Sequence, residues 1–185
     1  NDIETINATN GYNCKIIYQK SKGYGSALIE GIKEVNTKFF SIFNADGSFN
    51  PDELIQMYNT VVNENVNFVF ASRYEKDCSS EDDTLITLIG NFLFTKLGKI
   101  LFGLKLTDIL YTYVVGSTEC FKRLSIQNKD FTFCVEFPIK AHKKKFILVT
   151  SKSNERARIG GTKKVNAIKD GFLILISMIN LFLSR

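Results

Sequence analysis

The chain has 185 residues, 44% of them hydrophobic and 23% charged, and its formal net charge at pH 7 is +5. This composition is typical of one folded domain and excludes a disordered chain. The four cysteines form no CxxC pair and the single histidine, His142, lies in a lysine run, which argues against a zinc site, a disulfide framework and a Ser-His-Asp triad.

The first half of the sequence alternates short apolar runs with amphipathic ones. The pattern predicts a strand at 14–18, a helix at 24–35, a strand at 39–43, a helix from Asn50-Pro51 to about residue 63, and a strand at 67–72. Continuous apolar strands separated by helices indicate an α/β fold with a mostly parallel sheet covered on both faces. Ligands of such sheets bind beyond the carboxyl ends of the strands.

The second half is more helical. It predicts a helix at 84–102, a turn at Thr107-Asp108, a short extended stretch at 113–116, a helix at 133–144, a strand at 146–150, a basic loop at 151–164 and a final apolar helix.

An acidic residue follows the predicted strand at 39–43, in the segment 44–48 (NADGS). A carboxylate released at the carboxyl end of a buried strand suits a hard divalent cation, which takes oxygen ligands and bridges phosphates. The same segment is also typical of a strand-to-helix turn with a capping Asp. The residues alone leave both interpretations of Asp46 open.

Three further segments at the predicted rim carry groups suited to phosphate. The segment 22–27 (KGYGSA) precedes a helix, where glycines allow an anion to approach the backbone, although it lacks the third glycine of a dinucleotide fingerprint. Arg73 follows the strand at 67–72, and Arg158 begins a flexible basic loop. A guanidinium can hold a phosphate with its planar fork, but each arginine is equally ordinary on a solvated surface.

Taken in order, these segments resemble the family-2 glycosyltransferases, and within them the dolichyl-phosphate (polyprenyl-phosphate) sugar transferases. The resemblance covers about residues 10 to 170. It rests on K-G-x-G-x-A at 22–27, a segment like D-x-D at 44–46 (NAD), a Pro-Asp-Glu helix start at 51–53, a segment like G-S-R-Y/F at 71–74 (ASRY), T-D at 107–108, an acidic helix at 135–141 and an R-x-x-G-S-K-like loop at 158–163.

The resemblance implies a nucleotide-diphospho-sugar transferase fold (A-type, Rossmann-like) and an inverting transfer from a nucleotide-sugar donor, helped by Mg²⁺ or Mn²⁺. The site residues that it implies are Asp46 and Asn44 for the metal, Asp46 and Asp108 for catalysis, and Lys22, Gly23, Gly25, Arg73, Arg158 and Lys163 for the donor and phosphates. Asp108 would be the general base for a hydroxyl acceptor. A polyprenyl phosphate is already anionic and needs no base, so Asp108 could then be structural.

The sequence departs from the family pattern in several places. Asn44 stands where the first Asp of D-x-D is expected, and the Q-x-x-R-W motif of processive synthases is absent. The family's first strand should precede Asn1, so we expect an internal fragment without a signal peptide. The acceptor alternatives are a polyprenyl phosphate and a hydroxyl of a surface glycan, and a third possibility is a non-catalytic domain that binds sugar nucleotide. Nucleic acid is not an expected partner.

The C-terminal region combines a basic block with an apolar segment. Residues 171–183 carry no charge, but a membrane-spanning helix needs about 20 apolar residues. The lysines and arginines before this segment favour an anionic membrane surface, while a helix buried in a larger protein is the alternative. We therefore predict a catalytic domain at 1–169 and an interfacial helix at 170–185, with the protein peripheral to the cytoplasmic face of a membrane.

Overall fold

The computed structural model describes residues 3–161 and 164–184. The elements in chain order are α1 (Ile3–Ala8), α2 (Tyr24–Lys33), β1 (Phe39–Ile42), α3 (Pro51–Asn63), β2 (Phe68–Ser72), α4 (Leu85–Phe102), β3 (Val114–Ser117), α5 (Thr118–Lys122), α6 (Phe133–Lys143), β4 (Leu148–Lys152) and α7 (Ala167–Leu183).

The strands form one four-stranded sheet in the order β1-β3-β2-β4. Strands β2 and β4 are parallel, and β3 is antiparallel to both β1 and β2. Strands β1, β2 and β4 therefore run in one direction, as expected for a mostly parallel sheet, and β3 lies among them in the opposite direction. The sequence did not predict this reversal, because an apolar strand has the same pattern in either direction.

Both faces of the sheet are covered by helices, as predicted. Phe68 and Phe70 of β2 face α2, α5 and α6, whereas Val69 and Ala71 face α3. All five residues of β2 are buried. This two-sided burial explains why the strand is a continuous apolar run rather than an alternating one.

The predicted strand at 14–18 is wrong. Residues 14–19 have no assigned secondary structure, and their side chains are exposed. Lys15 instead pairs with Glu34, and the backbone N–H groups of Lys20 and Ser21 donate to Glu30. An apolar run becomes a strand only where another strand accepts its backbone hydrogen bonds, and within the described residues no strand pairs with this segment.

A third apolar cluster joins α4, α6 and α7 beside the sheet. It includes Leu104, Ile109, Val135, Ile174 and Met178. The predicted domain boundary between residues 169 and 170 falls inside α7, which packs against both other helices. In the described part of the chain, α4 is the one helix that by length and composition could cross a membrane.

Candidate active site

The predicted functional residues meet at one edge of the sheet. The carboxyl ends of β1, β2 and β4 lead to Asp46, Arg73 and Arg158, respectively. Because β3 is antiparallel, the residues that precede it reach the same edge, and Asp108 joins Arg73 there. The antiparallel direction of β3 therefore brings the predicted Thr107-Asp108 segment to the same edge of the sheet.

Asp46 is held in a tight turn after β1. Its Oδ1 accepts hydrogen bonds from the Ser48 backbone N–H at 3.0 Å and the Ser48 hydroxyl at 2.7 Å, and its Oδ2 lies 2.9 Å from Nη1 of Arg158. Burial opposes ionisation of this carboxyl, but the Ser48 hydrogen bonds and the Arg158 charge outweigh it and lower the pKa of Asp46. Gly47 adopts φ 86°, and a Cβ there would lie 2.6 Å from the Ile159 side chain.

The segment after β4 crosses the rim and fixes the turn. The Arg156 N–H donates to the Ser48 carbonyl and the Ile159 N–H to the Asp46 carbonyl, at 2.9 and 2.8 Å. Arg158 also lies 3.6 Å from Asp82, near the end of the loop before α4. Arg158, which was predicted to bind phosphate, is therefore in direct contact with Asp46, which was predicted to bind the metal.

Arg73 lies in a buried ionic network rather than on an open surface. Its Nε lies 2.8 Å from Asp108, and its Nη1 lies 3.0 Å from Glu155 and 3.5 Å from Asp83. Burial disfavours the charged guanidinium, yet the carboxylates, Asp108 foremost, raise the pKa of Arg73. The guanidinium also stacks over Tyr111, 4.4 Å from the ring centroid. This geometry does not support the prediction that Arg73 clamps phosphate, because its donors are already committed to carboxylates.

Asp108 is 1% exposed. It accepts hydrogen bonds from the Arg73 side chain and backbone N–H and from the Asn91 amide. A general base must reach the acceptor proton and have a free lone pair. The structure thus favours the structural alternative for Asp108 over the predicted catalytic one.

The glycines of the segment 22–27 pack against backbone. A Cβ on Gly23 would lie 2.1 Å from the Lys129 carbonyl oxygen, and one on Gly25 would lie 2.4 Å from that of Asn128. The Ser26 N–H at the start of α2 donates to the Lys129 carbonyl. These contacts explain why glycine is needed at both positions for packing, independently of the predicted donor binding. Lys22 itself is exposed.

The remaining predicted residues are Asn44 and Lys163. Asn44 is partly buried and directly follows Phe43 in the turn that carries Asp46. Lys163 lies outside the described residues. Within residues 3–161 and 164–184, no three His, Cys, Asp or Glu side chains form a metal-binding group. A site with one carboxylate and one amide suits an Mg²⁺ or Mn²⁺ ion whose other ligands come from water and substrate phosphates.

Two residues at the rim were not predicted from the sequence. Glu155 accepts a hydrogen bond from Ser80 besides pairing with Arg73. Tyr24, in the glycine segment, lies 2.5 Å from the Thr112 hydroxyl, and burial raises its pKa. No local motif marks either residue, because their partners lie 75 and 88 positions away.

Known proteins with similar folds include glucosyl-3-phosphoglycerate synthase from Mycobacterium tuberculosis. One crystal structure aligns with a TM-score of 0.66 at 10% identity, covering 89% of this chain and 57% of that one. Its complex with Mn²⁺, uridine diphosphate and glucosyl-3-phosphoglycerate aligns with a TM-score of 0.63 at 12% identity, covering 89% and 56%. This likeness confirms the A-type glycosyltransferase fold.

The sequence is also similar to a UDP-N-acetylglucosamine–dolichyl-phosphate N-acetylglucosaminyltransferase from Methanococcus voltae. The two are 28% identical over 135 residues, which cover 70% of this chain and 54% of the relative. The match thus spans about half the length of that relative. A sequence model of glycosyl transferase family 2 matches residues 3–125. The chain therefore belongs to glycosyl transferase family 2.

Proposed function

We propose that this chain is the nucleotide-sugar-binding part of an inverting, metal-dependent glycosyltransferase whose acceptor is a polyprenyl phosphate. The observation that carries the proposal is the contact between Asp46 and Arg158 at the carboxyl end of β1. It combines an oxygen ligand for a divalent cation with a guanidinium for phosphate at the edge where α/β sheets bind ligands. The similar Methanococcus voltae enzyme, named for a dolichyl-phosphate acceptor, supports the choice of acceptor.

Asp46 and Asn44 would hold the cation through their side-chain oxygens. A bound Mg²⁺ or Mn²⁺ supplies Lewis-acid stabilisation of the charge that develops on a diphosphate leaving group. The carboxylate of Asp46, whose pKa is lowered, is ionised at neutral pH and able to bind a cation. The fold neighbour that was solved with Mn²⁺ and uridine diphosphate supports a divalent metal.

Arg158 would position a phosphate of the donor or acceptor. Among the described residues its Nε is buried without a hydrogen-bond partner, which leaves one donor for a ligand. Lys163, five residues further along, would add a second positive charge. An inverting attack by a lipid phosphate oxygen needs no general base, which agrees with an Asp108 engaged by Arg73 and Asn91.

A hydroxyl acceptor is the weaker alternative. It requires a base within reach of the acceptor proton, and Asp108 is buried among donors. A polyprenyl phosphate is anchored in a membrane, so the protein would work at its surface. The reducing compartment that the cysteine spacing favours would place the protein at the cytoplasmic face.

The test is product analysis with the whole protein, UDP-N-acetylglucosamine and Mn²⁺ or Mg²⁺. A polyprenyl phosphate should yield a lipid-linked sugar, whereas the matched polyprenol, which lacks only the phosphate, should not. Chelation and Asp46→Ala should each abolish product. Equal product with the polyprenol, or transfer to a soluble sugar alone, would refute a phosphate acceptor. Full activity after chelation would refute the role of the metal.

A further inference from the structure

The outer side of α4 is a row of exposed apolar side chains. Ile89, Phe92 and Ile100 are 48%, 64% and 67% exposed. A solvated helix normally turns polar residues outward, and the charged residues on α4 are two exposed lysines, Lys96 and Lys99. An extended exposed apolar surface of this kind marks an interaction site.

Helix α7 lies beside α4 and extends this surface. Phe94 of α4 approaches Gly171, and Phe102 packs edge-on against Phe182 with ring centroids 6.0 Å apart. The residue numbers of the two helices increase in the same direction along the contact. The helices are therefore parallel, and their amino termini lie side by side. On its outer side α7 exposes apolar residues, among them Phe172 and Ile179.

The inner sides of both helices are fixed to the domain. Asn91 of α4 donates to buried Asp108, and Gly98 fits against Ile109 and Leu104. Ile174 and Met178 of α7 are buried in the same cluster. A helix that crosses a bilayer alone has apolar surroundings on all sides, so these helices lie along the protein surface with one side free.

We propose that the outer faces of α4 and α7 form one docking surface for an anionic lipid bilayer. Its charges favour this occupant, because the two helices carry Lys96, Lys99 and Lys169 against a single acid, Asp170. Asp170 accepts a hydrogen bond from the Asn166 N–H within its own helix start. Apolar residues together with lysines are the combination that binds the interface of an anionic membrane.

The surface also has a defined relation to the candidate active site. Helix α4 begins three residues after Asp82, which contacts Arg158, and Arg158 contacts Asp46. Docking through α4 and α7 would therefore hold this cluster close to the membrane surface. Its biological use rests on the proposed function, because a polyprenyl-phosphate acceptor is embedded in the bilayer.

The test is co-sedimentation of the purified protein with vesicles, which needs neither donor nor acceptor. Vesicles of phosphatidylcholine containing phosphatidylglycerol should bind it, and pure phosphatidylcholine vesicles should bind it less. The variant Ile89→Ser/Phe92→Ser/Ile100→Ser should weaken binding about tenfold or more, since these side chains would enter the interface. Lys96→Glu/Lys99→Glu should weaken binding to anionic vesicles at low salt, with little effect at high salt.

Ile55 on α3 is as exposed as Ile100, at 67%, so Ile55→Ser is the matched control and should bind vesicles normally. Circular dichroism should show that every variant is folded. The proposed docking surface is refuted if the protein binds no vesicles, or if Ile55→Ser and the α4 variant lose vesicle binding equally. Concentration-dependent dimers without lipid, abolished by the α4 variant, would make a second copy the occupant instead. A failure to bind vesicles would refute the docking surface without changing the result expected in the product assay of the proposed function.

Discussion

Nη1 of Arg158 lies 2.9 Å from Oδ2 of Asp46, so the expected phosphate-binding residue neutralises the expected metal ligand. A cation at Asp46 and this guanidinium would compete for the same carboxylate oxygen. Arg158 would then be free to turn to a phosphate when a cation binds. In the proposed function, the pair would thus link donor binding to the loop after β4.

Asp46→Ala should abolish Mn²⁺-dependent binding of uridine diphosphate, because the amide of Asn44 alone is a weak cation ligand. Asn44→Asp should tighten that binding, since it adds a charge at a neighbouring oxygen. Isothermal titration calorimetry with and without Mn²⁺ measures both effects. The control is Asp77→Ala, which removes a 74%-exposed carboxylate. Unchanged Mn²⁺-dependent binding in Asp46→Ala would show that the cation is held elsewhere.

Asp46→Asn should destabilise the protein at neutral pH and lose that effect in acid. The folded-state pKa of Asp46 is lowered, so its contribution to the free energy of unfolding is fully present above the unfolded-state pKa of about 3.9 and disappears as pH falls through the folded-state value. Urea unfolding of wild type and variant between neutral pH and acid measures the difference. Asp77→Asn should show little difference at any pH, and a constant difference for Asp46→Asn would contradict the expected shift.

Arg73→Met should lower the free energy of unfolding by about 3–5 kcal/mol, because it leaves buried carboxylates without their counter-charge. Lys15→Met is the matched control, since it breaks the exposed pair with Glu34 and should change the free energy of unfolding far less. Stability equal to wild type together with weaker phosphate binding would restore Arg73 as a phosphate ligand.

Gly25→Ala should destabilise the protein by about 1–3 kcal/mol, because the added Cβ overpacks a tightly filled site. That Cβ would lie 2.4 Å from the Asn128 carbonyl oxygen and 2.8 Å from that of Asp130. A Cβ on Gly31, in the same helix, would meet no neighbouring heavy atom within 4 Å, so Gly31→Ala should stabilise by about 0.4–1 kcal/mol. Thermal and urea unfolding compare the two. A neutral Gly25→Ala that weakens nucleotide binding would favour the donor-binding role.

The sequence by itself determined most element positions and the family, because the signals involved are local. Helix α3 runs from Pro51 to Asn63 as predicted, since Asn50 caps it and Pro51 fits its first position. Strand β2 was evident from its continuous apolar run. Asp46 was expected beyond β1 because ligands bind at the carboxyl ends of strands in such sheets.

Only the tertiary structure decided the direction of β3, the irregular conformation of residues 14–18 and the partners of Arg73. Each depends on contacts between residues far apart in sequence: Arg73 meets Asp108 across 35 positions and Glu155 across 82. An arginine after a strand has the same local pattern whether it faces phosphate or buried carboxylates. Arg73 faces the carboxylates because buried charges must be neutralised by a partner. That buried site exists only after the chain has folded.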